Sequence, residues 1–186
     1  MPDFPNLDHW FPPVEPAPRR PPPPYDVRHP TEADLADLDA RLRDWRDERP
    51  GRGGPGRTWF RHFGGTAWLA EASSDRRPLG LLLGLRSADR PAEGAIHLVT
   101  VDPAFRRRGI GRDLVGRFAA LLAAAGVTTV EATCRPEDRI ALAFFAALGF
   151  EPVAGPGSSR IYGVAAFADW DGAGEDRVLL VRTAAG

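Results

Sequence analysis

The chain has no lysine, no glutamine, almost no asparagine and a single cysteine, Cys134. One cysteine rules out an internal disulfide and fits a reducing compartment. Without lysine there is no lysine-bearing phosphate loop, and every basic residue apart from the four histidines is arginine. With amide side chains also scarce, that bias is the mark of a GC-rich coding sequence, so the placement of arginines is informative and their number is not. Long apolar runs are missing too. The longest, such as Leu79 to Leu85, falls far short of the roughly 20 residues that span a bilayer, and the N-terminus lacks the basic-then-apolar order of a signal peptide. Neither sign of charge is in excess, at a net −1, so nothing global draws the chain to nucleic acid or membrane. The expectation is a cytoplasmic protein with no nucleic-acid or membrane partner, its 186 residues folded around one core. There is no internal repeat.

What is present is unevenly distributed. Residues 1–24 hold ten of the nineteen prolines and show no apolar periodicity, which predicts an extended tail. Its Phe4, Trp10 and Phe11 could dock on a partner, but loose anchoring to the same chain is the plainer reading. Thr31-Glu32-Ala33-Asp34 is a helix-start signal, and Leu35, Leu38, Leu42 and Trp45 line one face of a helix over about 31–46. Arg49 to Gly56 reads as a loop and Trp59 to Phe63 as a short aromatic helix. Strands follow at 66–72 and 78–86, joined by the turn Ser73 to Arg77, and a third at about 94–101. A helix over about 110–125 stops at Gly126, before a β-branched strand from Val127 to Cys134. Ile140, Ala141, Phe144, Phe145 and Leu148 put an apolar face on a second crossing helix ended by Gly149. Glu151-Pro152-Val153 and Arg177 to Thr183 form a last hairpin across a long loop. That order is an α/β layer fold, a mixed sheet with helices on both faces.

The most informative stretch is Arg106-Arg107-Arg108-Gly109-Ile110-Gly111, entered from the strand ending Val101-Asp102-Pro103. A turn of this kind presents backbone N–H groups at the positive end of a helix, and glycines keep side chains out of the way of a phosphate. Three arginines on its rim can fork onto phosphate oxygens, so the natural guest is a polyphosphate. A dinucleotide fingerprint needs a third glycine at Asp113 or Leu114 and an earlier place in the chain.

The longer pattern V-x-P-x-x-[Q/R]-x-x-G-x-[G/A], matched by Val101, Pro103, Arg106, Gly109 and Gly111, resembles the coenzyme A loop of the GNAT superfamily of acyl-CoA N-acyltransferases. The resemblance extends to Tyr25-Asp26-Val27-Arg28, the Asp34-bearing helix, Pro78 to Gly84 and Leu148 to Val153. It implies a single-domain GNAT fold over 25–186, with acetyl-CoA as acyl donor and no metal. The backbone near Arg107 to Gly111 would hold the pyrophosphate, with Arg106, Arg107, Arg108 and Arg112 near its phosphates and Ile110 within the cradle. The main chain of Leu98, Val99 and on to Val101 would pair with the pantetheine arm. The loop and short helix before Gly64 would flank the acceptor pocket.

The implied chemistry is direct transfer of an acyl group from a thioester to an amine. Freeing the lone pair of an alkylamine of pKa near 10.4 at pH 7 costs about 4.6 kcal/mol, which a base or a desolvating pocket must cover. Some family members carry a glutamate base on the motif strand, at the position of Ala95 here. On the same strand face, Glu93 and His97 are substitutes, His97 the better because its unperturbed pKa is near neutrality; packing alone would equally explain a histidine there. The usual tyrosine acid is replaced by Phe145, and Asp138 stands where many members have asparagine. Tyr162 and Cys134 are the remaining acid candidates, although a cysteine there is more often a small buried hydrophobe and a thiolate can leave without protonation. Losing both usual groups points to a weakly basic acceptor. Asp169, Asp171, Glu175 and Asp176 would instead favour a cationic one if they faced the cleft, but loop acids mostly face water.

The first expectation is an N-acetyltransferase acting on a small-molecule amine. A CoA-binding sensor or scaffold without turnover, and a protein or peptide N-acetyltransferase, are the alternatives.

Overall fold

The computed structural model describes residues 21–45 and 55–183. Most of the proline-rich tail, with Phe4, Trp10 and Phe11, and most of the glycine-rich loop at 49–56 lie outside the described residues. The chain is already fastened at Pro24, whose carbonyl accepts from the Ser73 N–H at 3.0 Å.

Strand β1 (Tyr25–Arg28) leads through a 3-10 turn into helix α1 (Leu35–Trp45), and α2 (Arg57–His62) follows. The helix start is built as its sequence signals: the Asp34 carboxylate accepts from the Thr31 N–H at 2.7 Å and from Arg28 at 2.8 Å. Arg28 also reaches the buried Glu71 at 2.8 Å, which Arg76 holds from the other side at 3.0 Å, so one charge network ties the first strand to its neighbour. Strands β2 (Trp68–Ala72), β3 (Pro78–Arg86) and β4 (Glu93–Val101) form an antiparallel meander. Thr66 closes a 3-10 turn instead of opening β2. Helix α3 (Ile110–Ala124) crosses to β5 (Thr129–Cys134), which pairs parallel to β4. Helix α4 (Arg139–Ala146), β6 (Glu151–Pro152) and β9 (Val178–Thr183) complete a seven-stranded mixed sheet in the order β1-β2-β3-β4-β5-β9-β6.

The sheet has a core on each face. Leu38, Leu42 and Trp45 of α1 and Phe60 of α2 pack with Leu69, Leu81 and Leu83 on one side. On the other, Ile110, Leu114, Phe118 and Leu122 of α3 and Phe145 of α4 pack with Leu82, Ile96, Ala132 and Leu180. The α/β layering with helices on both faces is therefore as the sequence predicts.

Two local expectations are corrected. The long loop after β6 contains a second hairpin, β7 (Ser158–Ile161) and β8 (Val164–Phe167), whose Ala166 is fully buried in the α3-side core. The apolar face of α4 does not include Ile140, which is 81% exposed, because the buried side of that helix centres on Phe145, with Ala141 and Leu148 alongside.

Candidate active site

The site forms where β4 stops behaving as an ordinary strand. Leu83 of β3 pairs with Leu98, but the next residue, Gly84, pairs with Ile96, so His97 is the extra residue of a β-bulge. A bulge bends its strand and breaks the in-out alternation. His97 and Leu98 accordingly both face the α1/α2 side: the His97 ring stacks on Trp59 of α2 at 4.3 Å and 14°, and Leu98 packs into the same cluster. The parallel pairing of β4 with β5 runs from Glu93↔Thr129 to Ile96↔Ala132 and ends at the bulge, although both strands continue. Between the two strands beyond that point the sheet opens, and among the described residues the β4 main chain from His97 to Val101 has no strand partner on that edge.

The opening leads to the start of α3. The Asp102 N–H donates to Leu79 O at 2.9 Å, and the Asp102 carboxylate accepts from the Ala104 N–H at 2.9 Å, which sets a 3-10 turn over Pro103–Phe105. Arg107 and Gly109 then take left-handed backbone, at φ +61° and +96°. Gly109 is the N-cap and provides no capping side chain, so the first N–H groups of α3, which no helical carbonyl can reach, are left without a side-chain cap. The two glycines of the motif do different work. A Cβ on Gly109 would meet nothing within 4 Å, so that residue is needed for its backbone conformation. A Cβ on Gly111 would lie 3.2 Å from the Phe144 ring and 3.6 Å from Val101, so that glycine lets α4 close against α3. Ile110 points into the core, so its side chain is not available to a ligand at the turn.

The arginines divide likewise. Arg106 is turned inward, its guanidinium donating to Val101 O at 3.0 Å and to the carbonyl of Trp45 at the end of α1. It braces the loop through these two bonds, while the residue itself remains exposed. Arg108 lies over the Phe105 ring at 5.2 Å, with Arg77 at 4.8 Å. Arg107 and Arg112 are exposed. The one acid in this first turn, Asp113, is occupied by Tyr25 and Arg117, each at 3.0 Å.

The other expected catalytic residues are not gathered around His97. Glu93 sits at the far end of β4, about 13 Å away along the strand at roughly 3.3 Å per residue, and is ion-paired with Arg90 at 3.1 Å. Tyr162, 63% exposed, is at the tip of the β7–β8 hairpin, in a two-residue turn with Gly163 in which both residues have positive φ. Its carbonyl accepts from Arg139 at 2.8 Å, and the hairpin packs on the α3 side, on the sheet face away from His97. Phe145 is buried against Phe144 and Phe150. Asp138 caps α4 by accepting from the Ala141 N–H at 2.8 Å. Burial pushes the Cys134 thiol up to about 12, so it sits in the core as a protonated thiol. The loop acids close their own turn: Asp171 and Glu175 pair with the buried Arg177 at 2.8 and 3.0 Å, while Asp169 and Asp176 accept from backbone N–H groups of the same loop. Among the described residues no group of three or more metal-ligating side chains comes together, and no helix is long and apolar enough to cross a membrane.

A bulged strand, an opened parallel pair and a glycine-capped helix thus follow one another along the chain. The model of the acetyltransferase (GNAT) family matches residues 20–150, most of the described chain. The chain belongs to the GNAT family. An L-2,4-diaminobutyric acid acetyltransferase of Nocardia farcinica is 34% identical over 90 residues, which cover 48% of this chain and 46% of that protein; the chain thus spans about half the length of that relative. Among solved structures, Ard1 of Thermoplasma volcanium superposes with a TM-score of 0.69 at 16% identity, covering 87% of this chain and 99% of that one. The diaminobutyrate acetyltransferase EctA of Paenibacillus lautus, in complex with its substrate and coenzyme A, superposes at 0.62 and 17%, covering 88% and 99%. These likenesses establish that the GNAT fold is shared.

Proposed function

We propose that this chain transfers the acetyl group of acetyl-CoA directly to a primary amine of a small molecule. The observation that carries this reading is the continuity of the slot: the strand edge freed at His97 runs straight into the N–H groups at the start of α3. Backbone from Leu98 to Val101 would line the pantetheine arm. The N–H groups from Arg107 to Arg112 would take the pyrophosphate, with the side chains of Arg107, Arg108 and Arg112 adding charge and Arg106 holding the loop. The fit is in the chemistry of the donors, an anion cradle that needs neither lysine nor metal. Bound acetyl-CoA supplies the thioester carbonyl, and the chain's own task is to hold that carbonyl at the bulge, where His97 stands, and to admit an unprotonated amine from the α1/α2 side. A small polar amine is favoured by the relative and the structural neighbour that act on diaminobutyrate. Residues 25–186 would carry the activity, with the tail outside it.

Calorimetric titration with acetyl-CoA on the wild type and on Gly109→Asp tests the cradle. Saturable binding that the variant loses is expected, because the substitution places an anion where the phosphates would sit. No binding to the folded wild type would remove the cofactor and the activity together. The second reading, a CoA-binding module without turnover, draws on Phe145, which puts an inert ring where the family's acid stands. It would prevail if acetyl-CoA bound but L-2,4-diaminobutyrate and a panel of simple amines released no CoA above the uncatalysed rate.

A further inference from the structure

The sheet register brings a carboxylate to the bulge from the neighbouring strand. Ala95 of β4 lies directly beside Glu131 of β5. Side chains paired across adjacent strands stand on the same face, and that face is fixed by the residues on either side. A Cβ on Gly94 would strike Leu122 of α3 at 2.2 Å, and Ile96, Val130 and Ala132 all belong to the α3-side core. Ala95, Glu131 and His97 therefore all face the α1/α2 side. The helices on that side pack over β2, β3 and Leu98 of β4, and their cluster includes no residue of β5 or β9. Glu131 is half-buried on this part of the sheet, beyond the α1/α2 cluster, and makes no hydrogen bond or ion pair among the described residues. Of the other acids of the sheet on this face, Asp26 and Glu71 lie on β1 and β2, with Glu71 held by Arg28 and Arg76; Glu93 is paired with Arg90, and Glu151 lies beyond Val181 of β9.

We propose that Glu131 is the proton acceptor for the amine substrate and that the substrate is accordingly a cationic, strongly basic amine. The inference rests on the acetyl-transfer reading above. With strands about 4.8 Å apart and two steps of about 3.3 Å along β4, the Cα atoms of Glu131 and His97 are about 8 Å apart. An extended glutamate spans that gap directly or through one water, and Ala95 leaves the intervening space open. The carboxylate attracts the ammonium group and takes one proton from it. The freed lone pair attacks the thioester carbonyl, forming the C–N bond and breaking the C–S bond. The second amine proton passes to the departing sulfur to give CoA thiol, and Glu131 returns its own proton to solvent.

The test compares two acceptors in a CoA-release assay at neutral pH: L-2,4-diaminobutyrate, whose amines are protonated, and hydroxylamine, which is uncharged and needs no base. Glu131→Gln should lower kcat/KM for diaminobutyrate about 100-fold or more, within the usual range for a lost general base. It should leave the hydroxylamine reaction within about threefold and acetyl-CoA binding unchanged. Returning the carboxylate from the adjacent strand, in Ala95→Glu/Glu131→Gln, should recover activity on diaminobutyrate alone. Equal losses on both acceptors, no loss on either, or no recovery in a double variant that still binds acetyl-CoA would each overturn the role of Glu131. A wild type that binds acetyl-CoA but turns over neither acceptor, nor any of the panel of simple amines, would overturn the acetyl-transfer reading itself, and this proposal with it, a result distinct from an active wild type matched by its variant.

Discussion

Asp34 shows how one residue can join helix capping to sheet assembly. Its carboxylate accepts from the Thr31 N–H and from Arg28, and the Arg28 guanidinium beside it, opposed by burial and assisted by Thr31, holds its carboxyl at about 2. The folded pKa lies below the unfolded value, so the stabilisation is fully present above about pH 4 and is lost as pH falls through about 2; it is on the order of 2 kcal/mol at most. Urea denaturation of the wild type and Asp34→Asn should show a gap in stability at pH 7 that narrows steadily between pH 4 and pH 2.5. A gap independent of pH would mean that the carboxylate charge does not matter. The Thr31-to-Asp34 signal was legible in the sequence because a cap depends on neighbours three residues away. The partner Glu71, 43 residues from Arg28, was not. The arginine triplet was legible only as a group: that Arg106 turns back to the Trp45 carbonyl depends on where the end of α1 lies in space.

At the scale of elements, α3 owes its position to two strand glycines. A Cβ on Gly84 would stand 2.5 Å from the Phe118 ring and 2.9 Å from the Ala95 carbonyl, and Gly94 meets Leu122 in the same way. The helix therefore lies close on β3 and β4, which sets its N-terminus at the end of the bulged strand. Gly84→Ala should cost about 1–3 kcal/mol through overpacking, seen as a lower urea midpoint with an unchanged m-value. An unchanged midpoint would show that α3 can shift without penalty. Strand and helix limits were mostly readable because apolar periodicity and glycine stops are local. The β7–β8 hairpin was not: Ser158–Ile161 and Val164–Phe167 are four residues each, too short to stand out in a glycine- and aspartate-rich stretch. Helical spacing alone puts Ile140 on the buried face, and the placement of α4 against the sheet leaves it in water.

For the molecule as a whole, the cradle joins β4 to α3 across both the sheet and its core, so ligand binding there should be felt as global stability. A ligand at about 100 times its Kd adds about 2.7 kcal/mol. For a chain of this size that corresponds to a rise in Tm of roughly 5–10 °C. Differential scanning calorimetry with saturating acetyl-CoA should show such a rise for the wild type and none for Gly109→Asp. A wild-type Tm that does not respond would mean that acetyl-CoA does not bind the folded chain in preference to the unfolded one.

The sequence by itself determined the layer order, the helix starts and stops, and the glycine-capped turn before α3, because each is written in residues within a few positions of one another. Periodicity, caps and a glycine that must take positive φ need no long-range partner. The tertiary structure alone decided which side chains meet at the proposed reaction centre. The bulge at His97 is a mismatch between two strands, the opening between β4 and β5 is a pairing that stops, and Glu131 comes to stand beside Ala95 across 36 residues of chain through the register of a parallel crossover. Registers of that kind are set by the packing of α3 and its glycine seats on the sheet, a global solution that no single stretch of the chain contains.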